Sequence, residues 1–479
     1  MARVRKIYGP PGTGKTFRLI RRAQAYHRVG IPYHKIGYFA FTRKAAGEAR
    51  ARIGVSEKDV PYFQTLHAFG FHLLGLKEEN IMQPYHYQDL GKKLGIRVNF
   101  SDAYNEEETH YLTCNNPYFQ LIGRAINRDT TIREEFDRNE HDRTEIDWVV
   151  LKNIEKNLIE FKSKNKLKDF NDIINDVIKL KDTPEFPTFK TVFIDEAQDL
   201  SPLQWKLYDV LKEKTEDMYL AGDDDQAIFA WAGADVNRFI NEPAEEKVLK
   251  YSRRVSQAVQ EQSQIIVERI SGIRKHKDYL PRAQKGLASQ ISNLGQVDLT
   301  KGKWLILSRT KNNLLKIMEE LRRKGLYYQS NKGKSFKVSL YKAAVAYTNW
   351  CFDEKLEPKD IAEIKEYIPD GKWNTKKEWH EVFTLANQVD ILYIRNLLSN
   401  EEKLSEDARI FVSTIHAAKG GEENNVILSL HQGRKVQKGI ALSLDKQDEE
   451  HRVWYVGSTR ARNNLYLLVS KIQRKGYVL

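Results

Sequence analysis

The segment Gly9-Pro10-Pro11-Gly12-Thr13-Gly14-Lys15-Thr16 constrains the fold of this chain more than any other feature. It fits the pattern G-x-x-x-x-G-K-[ST]. Residues 4–8 before it read as a short strand, and residues 17–20 after it read as the start of a helix. Glycines at such a junction let backbone N–H groups wrap phosphate oxygens, and the helix N-terminus adds a positive dipole end. Residues 9–16 are therefore expected to cradle a nucleoside triphosphate. Lys15 would reach its β- and γ-phosphates, and the Thr16 hydroxyl would ligate Mg²⁺.

Charge points to a polyanionic partner. The 479 residues carry 78 Lys+Arg against 65 Asp+Glu, a formal net charge of +13. A surplus of that size favours nucleic acid. Cys114 and Cys351 lie too far apart for a zinc spacing or a disulfide framework, so a reducing cytoplasm is expected. No window approaches the roughly 18 apolar residues of a membrane span, and with no apolar h-region in residues 1–8 a signal peptide is not expected.

Short apolar runs alternate with helical stretches in two regions. In the first, residues 36–41, 191–194 and 218–221 read as strands, and residues 44–53 as an Ala/Arg-rich helix. Continuous β-branched and aromatic runs are what a strand buried on both faces of a parallel sheet requires. In the second, residues 304–308, 410–414, 426–430 and 465–469 read as strands. Leu314, Leu315, Ile317, Met318 and Leu321 mark a helix face. Each region is interrupted by a polar, helical insertion, and the two sheets are expected to join near Lys250.

The second chemical signal is Asp195-Glu196 at the end of the strand 191–194. Ligands of open α/β sheets bind at that edge. Asp195 is expected to hold Mg²⁺, directly or through water, and Glu196 to orient and deprotonate the attacking water.

From here the chain resembles the superfamily 1 helicases of the UvrD/Rep/PcrA group along nearly its whole length. Phe39-Ala40-Phe41-Thr42-Arg43-Lys44-Ala45-Ala46 resembles motif Ia, and Thr65-Leu66-His67-Ala68-Phe69 resembles motif Ib. Asp195-Glu196-Ala197-Gln198-Asp199 resembles motif II, and Gly222-Asp223-Asp224-Asp225-Gln226 through Asp235 resembles motif III. Arg253-Arg254 falls at motif IV, Thr414 through Glu422 at motif V, and Tyr455 through Arg462 at motif VI. The resemblance implies an α/β fold of two RecA-like parallel-sheet lobes, each interrupted by a mainly helical insertion. The expected boundaries are 1–67 and 169–249 for the first lobe, with 68–168 as its insertion. The second lobe takes 250–330 and 406–479, with the short 331–405 as its insertion.

The expected roles follow. Arg254 and Arg460, both placed in the second lobe, are permanently charged donor forks that would reach the γ-phosphate as arginine fingers. Gln226 would sense the γ-phosphate, and the resemblance puts Glu422 on the ribose. Phe229 and Trp231, two apart on a strand, would face one way and stack on bases, joined by Phe41 and His67. Thr42, Arg43, Thr65, Arg309, Thr414 and His416 are candidate phosphate contacts. Basic runs at Lys162/Lys164/Lys166/Lys168 and Lys332/Lys334/Lys337 are either solvated faces or nucleic-acid contacts.

The chain departs from the family pattern in places. The Gln-containing motif usual upstream of the phosphate loop is not expected within residues 1–8. Phe17 stands where the family has Arg, Arg253 where it has Tyr, and Gly421 where it has Leu. Preference for ATP over other triphosphates stays open, with Phe17 or Arg253 expected against the base. The expected function is an ATP- and Mg²⁺-dependent single-stranded DNA translocase and helicase. The resemblance implies 3′→5′ movement. Single strands and single-strand/duplex junctions are the expected partners of a monomer able to act alone, with room for protein partners. A translocase that displaces proteins, or a nucleotide-gated clamp, is the alternative.

Overall fold

The computed structural model describes residues 2–100, 114–138, 146–369, 373–441, 443–472 and 475–478. The chain divides into two compact units. The first holds residues 1–285 and 440–459, the second residues 286–439 and 460–479.

Six strands form the sheet of the first unit: β1 (Arg3–Tyr8), β2 (Ile36–Ala40), β3 (Phe63–Thr65), β4 (Phe189–Ile194), β5 (Thr215–Gly222) and β6 (Glu245–Val248). Their order is β3-β2-β4-β5-β1-β6, and every pairing is parallel. The period-2 alternation of a strand explains why the central strands β4 and β5 carry apolar runs that serve both faces. Val192, Ile194, Met218 and Leu220 pack on one face with Leu203, Leu207 and Leu211. Phe193, Tyr219 and Ala221 pack on the other with Leu19, Ile20 and Ala23. Both faces are thereby buried by helices, as parallel sheets require.

Residues 68–168 are mainly helical where described, with helices Pro84–Lys93, Pro117–Asn127, Ile132–Arg138 and Trp148–Asn165. Residues 101–113 and 139–145 of this expected insertion lie outside the described residues. Its helices close around their own core of Tyr87, Leu90, Phe119, Ile122, Leu151, Ile154 and Leu158.

The second unit holds β7 (Leu287–Ile291), β8 (Trp304–Ser308), β9 (Tyr328–Ser330), β10 (Gly333–Lys334), β11 (Ile410–Thr414), β12 (Glu423–Ser429) and β13 (Ala461–Leu468). Their order is β10-β9-β11-β8-β12-β13-β7, parallel except for the β9–β10 hairpin. Helices Val338–Cys351, Pro358–Lys365, Trp379–Val382 and Gln388–Ser399 form the insertion, with a core that includes Leu340, Tyr347, Ile364, Phe383 and Ile394. Two RecA-like α/β lobes with helical insertions are the observed fold class.

Two expectations change. Leu315 is 55% exposed, so the buried stripe of helix Lys311–Arg323 runs through Ile317 and Leu321, with Leu314 and Met318 partly covered. Residues 440–459, expected with the second lobe, pack in the first unit, and so do residues 250–285. For residues 250–285 the reason is β6, which pairs with β1 and hands the chain directly to a loop held on the phosphate-binding segment.

Candidate functional site

The strand order places the ends of β4, β5 and β1 side by side, so their carboxyl edge gathers Asp195, Asp223 and Gly9. Gly9 N–H donates to Gly222 O at 2.9 Å, which ties the phosphate loop to the end of β5. Within the loop, the Thr13 hydroxyl donates to Pro10 O at 2.8 Å. Gly12 and Gly14 adopt φ of 71° and 83°, the left-handed region that Gly enters without a Cβ penalty. Helix Lys15–Arg28 starts at Gly14.

Lys15 folds over the loop. Its amine donates to Gly9 O at 2.9 Å and lies 3.7 Å from Glu196 Oε1. A Cβ on Gly9 would fall 2.0 Å from Lys15 Cγ, so only Gly leaves room for the lysine. Thr16 Oγ1 donates to Asp195 Oδ2 at 2.5 Å, and the Tyr38 hydroxyl donates to the same oxygen at 2.9 Å. Asp195 is 2% exposed. Burial, reinforced by the neighbouring Glu196 charge, pushes its carboxyl up to about 6, against the pull of Thr16, Lys15 and Tyr38.

A buried carboxylate with a hydroxyl beside it, both hard oxygen donors, fits a divalent cation such as Mg²⁺. Among the described residues no group of three or more His, Cys, Asp or Glu side chains forms a closed metal cage.

Glu196 sits at φ 56°, uncommon for a residue with a side chain. Gln198 Nε2 donates to its Oε2 at 2.6 Å and to Asp199 Oδ2 at 2.8 Å. Gln198 Oε1 in turn accepts from Asp223 N–H at 3.0 Å. Asp223 Oδ2 accepts from Gln226 Nε2 at 2.6 Å. Lys15, Glu196, Gln198, Asp223 and Gln226 thus form one continuous polar chain.

Arg254 belongs to the first unit, which corrects its expected placement in the second lobe. Arg253 N–H donates to Gly12 O at 2.8 Å and Ser252 Oγ to Pro11 O at 2.7 Å. A Cβ on Gly12 would lie 2.2 Å from Arg254 Cβ. Phe17 is 44% exposed, with the Arg253 and Arg21 guanidinium carbons 5.9 and 5.7 Å from its ring centre. Arg460, in the second unit, is 1% exposed and donates to Gly421 O at 3.2 Å. Glu422 pairs with Arg462 at 3.1 Å.

The aromatic residues form a short ladder. Phe41 stacks on Phe229 with ring centres 5.1 Å apart, and Phe229 meets Trp231 at 6.3 Å. The expected strand at Phe229 and Trp231 is instead a single 3₁₀ turn, Ala230–Ala232, closed by Gly233 at φ 102°. The consequence is asymmetric burial: Phe229 is 3% exposed and Trp231 44%. The Thr42 and Thr65 hydroxyl oxygens cap helices Arg43–Ile53 and Leu66–Leu73, accepting from Ala45 N–H and Ala68 N–H, each at 3.1 Å, which leaves each O–H able to donate. Arg43 is exposed, whereas His67 is buried edge-on to Phe170 at 5.5 Å. In the second unit Arg309, Thr414 and His416 are half-buried.

The basic run at 162–168 is split: Lys164 and Lys166 are exposed, whereas Lys162 and Lys168 are paired. Lys162 is held by Asp169 and Asp172 at 2.8 and 2.7 Å, and Lys168 by Asp176. In the run at 332–337, Lys334 donates to Leu404 O at 2.8 Å and Lys337 lies over the Tyr367 ring.

Sequence reading missed Tyr38, Ser252 and the pair Arg274 and Lys277. Tyr38 looked like one more core strand residue, and Ser252, Arg274 and Lys277 carry no local motif. Gln198 lay inside the motif II segment but drew no role. Among the described residues, no helix is long and apolar enough to cross a membrane.

Residues 2–247 match the family model for the UvrD/REP helicase N-terminal domain, and residues 359–472 match the UvrD-like helicase C-terminal domain. The ATP-dependent DNA helicase Rep of Buchnera aphidicola is 26% identical over 248 residues, 49% of this chain and 35% of that protein. DNA helicase II of Haemophilus influenzae is 26% identical over 47% of this chain and 32% of its own length. ATP-dependent DNA helicase PcrA of Staphylococcus epidermidis is 25% identical over 49% of this chain and 33% of its own length. The aligned region spans about a third of the length of these relatives.

Proposed function

The chain belongs to the UvrD/REP helicase family, and from that premise we propose that it is an ATP-driven, Mg²⁺-dependent motor that moves along single-stranded DNA and separates duplexes at single-strand/duplex junctions. One observation carries the reading: Lys15, Thr16, Asp195, Glu196 and Gln226 converge at the carboxyl edge of β1, β4 and β5.

In this reading Lys15 and the backbone of residues 9–16 bind the β- and γ-phosphates. Thr16 and Asp195 would hold Mg²⁺, which when bound would offset the charge of the departing phosphate. Glu196 orients and deprotonates the attacking water, and Gln226 reports on the γ-phosphate. Arg254, packed on Gly12, supplies positive charge beside the phosphate loop. By the family resemblance, Arg460 is the candidate arginine finger and Glu422 the candidate ribose contact. Phe17, exposed beneath Arg253 and Arg21, is the stacking surface for the base. A bare ring selects by stacking rather than by a hydrogen-bond pattern, so ATP and GTP should be hydrolysed at comparable rates. Side-by-side steady-state hydrolysis tests this, and a strong ATP bias would count against it.

Trp231 is the exposed rung on which bases stack, and Arg43, Arg309, Thr414 and His416 are phosphate contacts on the track. Direction is proposed as 3′→5′. The test is strand displacement with ATP and Mg²⁺ on matched duplexes bearing a 3′ or a 5′ single-stranded tail. Displacement of only the 3′-tailed duplex, abolished in Lys15→Ala, supports the proposal. The compact second insertion, residues 331–405, favours one further reading, a translocase that displaces proteins. That reading gains if neither duplex is unwound while single strands still stimulate hydrolysis. A clamp without turnover fits poorly with Lys15, Glu196 and Gln226 all present.

A further inference from the structure

Away from the phosphate loop, the first unit buries a cation that the proposed chemistry does not use. The Lys277 side chain is 2% exposed, and its amine lies 3.0 Å from Asp223 Oδ1, 2.5 Å from Asp224 Oδ1 and 2.8 Å from Asp225 Oδ2. Arg274 adds a bidentate pair to Asp225, with Nε and Nη2 donating at 3.0 and 2.9 Å. Lys275 N–H donates to Asp224 Oδ2 at 2.8 Å. From helix Leu444–Ser458, Arg452 Nε donates to Asp224 O at 3.0 Å. Three successive buried carboxylates would repel one another and open the turn they occupy. Two cations on residues 274–277 hold it closed.

The turn matters because of what Asp223 does with its other oxygen. Oδ1 faces Lys277, and Oδ2 accepts from the Gln226 carboxamide at 2.6 Å. Asp223 N–H meanwhile donates to Gln198, which holds Glu196. We propose that Lys277 is a positioning residue for hydrolysis: by fixing Asp223 it aims the Gln226 carboxamide at the γ-phosphate. The inference rests on the proposed triphosphate site and deepens it. It also links that site to the two stretches of chain that lead out of the unit, residues 274–285 and helix Leu444–Ser458.

Burial and the Lys277 and Arg274 partners act in opposite directions on these carboxyls. Asp225 is held below its ordinary value, with burial opposed by Lys277 and Arg274. Asp224 is pushed up to about 6, chiefly by burial. Lys277 itself is raised, because three carboxylates outweigh its desolvation.

The test compares Lys277→Met and Lys277→Arg with the parent chain. Readouts are kcat and KM for ATP, and the affinities for a fluorescent ADP and a non-hydrolysable ATP analogue. Lys277→Met should lower kcat about 10- to 100-fold, as expected for one lost charged hydrogen bond in the transition state. It should weaken the triphosphate analogue and leave ADP within about 3-fold, since ADP has no γ-phosphate. Lys277→Arg should restore most of kcat. If Lys277→Met does not fold, Lys277→Met/Asp224→Asn keeps the cluster at a net −1 and should show the same split.

Combined with Gln226→Ala, Lys277→Met should add little further loss, because both act through one contact. Full additivity, or equal weakening of ADP and the triphosphate analogue, would overturn the inference. If Gln226→Ala alone leaves hydrolysis unchanged, the underlying site reading fails instead.

Discussion

Gln198 holds Glu196 from the side, its carboxamide donating to the Glu196 carboxylate at 2.6 Å. Glu196 needs such a hold, because its backbone lies in the left-handed region at φ 56°, a conformation that costs about 1–3 kcal/mol. The close fit extends to Gly222, where a Cβ would fall 2.6 Å from Gln198 Oε1. Gln198→Leu should therefore lower kcat for ATP hydrolysis about 10- to 100-fold with little change in KM, since it frees the base without touching the phosphate cradle. Steady-state kinetics at saturating single-stranded DNA check this. A raised KM with unchanged kcat would contradict it.

The phosphate loop makes a second prediction through two of its glycines. Gly14→Ala meets nothing closer than Phe17 Cβ at 3.9 Å, so its cost is backbone strain, about 1–2 kcal/mol. Gly12→Ala has the same strain and adds a collision with Arg254 Cβ at 2.2 Å, worth about 1–3 kcal/mol more. Denaturation of the nucleotide-free protein should rank Gly12→Ala clearly below Gly14→Ala.

Trp231 and Phe229 should separate binding from stability. Trp231 is 44% exposed, and Trp231→Ala should weaken single-stranded DNA by about 1–3 kcal/mol with little change in melting. Phe229 is 3% exposed beneath Phe41, and Phe229→Ala should destabilise the fold by about 3–5 kcal/mol. Anisotropy titrations and thermal melts of both variants decide the matter.

Asp224 gives a pH dependence. Its carboxyl is raised in the fold to about 6 from an ordinary 3.8, chiefly by burial. A raised carboxyl contributes stability that is full below its unfolded value and lost as pH rises through about 6. Asp224→Asn mimics the protonated form. Its stability relative to the parent should therefore improve between about pH 4 and about pH 8, by no more than about 3 kcal/mol. Urea titrations across that range test it, and an advantage that shrinks with rising pH would contradict the sign.

The parts legible in the sequence were those written in local pattern. β4 announced itself as an apolar run ending in Asp195-Glu196, and β8 and β11 matched their apolar runs residue for residue. β6 escaped because Glu245–Val248 is a charged edge strand with no apolar alternation, and β3 because it is three residues long. Missing β6 also misplaced Arg254, since that strand carries the following segment onto Gly12. The Phe229–Trp231 spacing suggested a strand, but Gly233 at φ 102° closes a turn there. Lys277 left no trace at all. A lone lysine among polar neighbours becomes a buried cation only once the fold brings Asp223, Asp224 and Asp225 around it.

The most direct test of the account is phosphate release from ATP with Mg²⁺, with and without single-stranded DNA, for the parent chain and Lys15→Ala. The account predicts hydrolysis that single strands stimulate at least about 10-fold, a barrier change of about 1.4 kcal/mol, and that Lys15→Ala abolishes. Nucleotide and DNA binding with no turnover, or turnover that persists in Lys15→Ala, would contradict it.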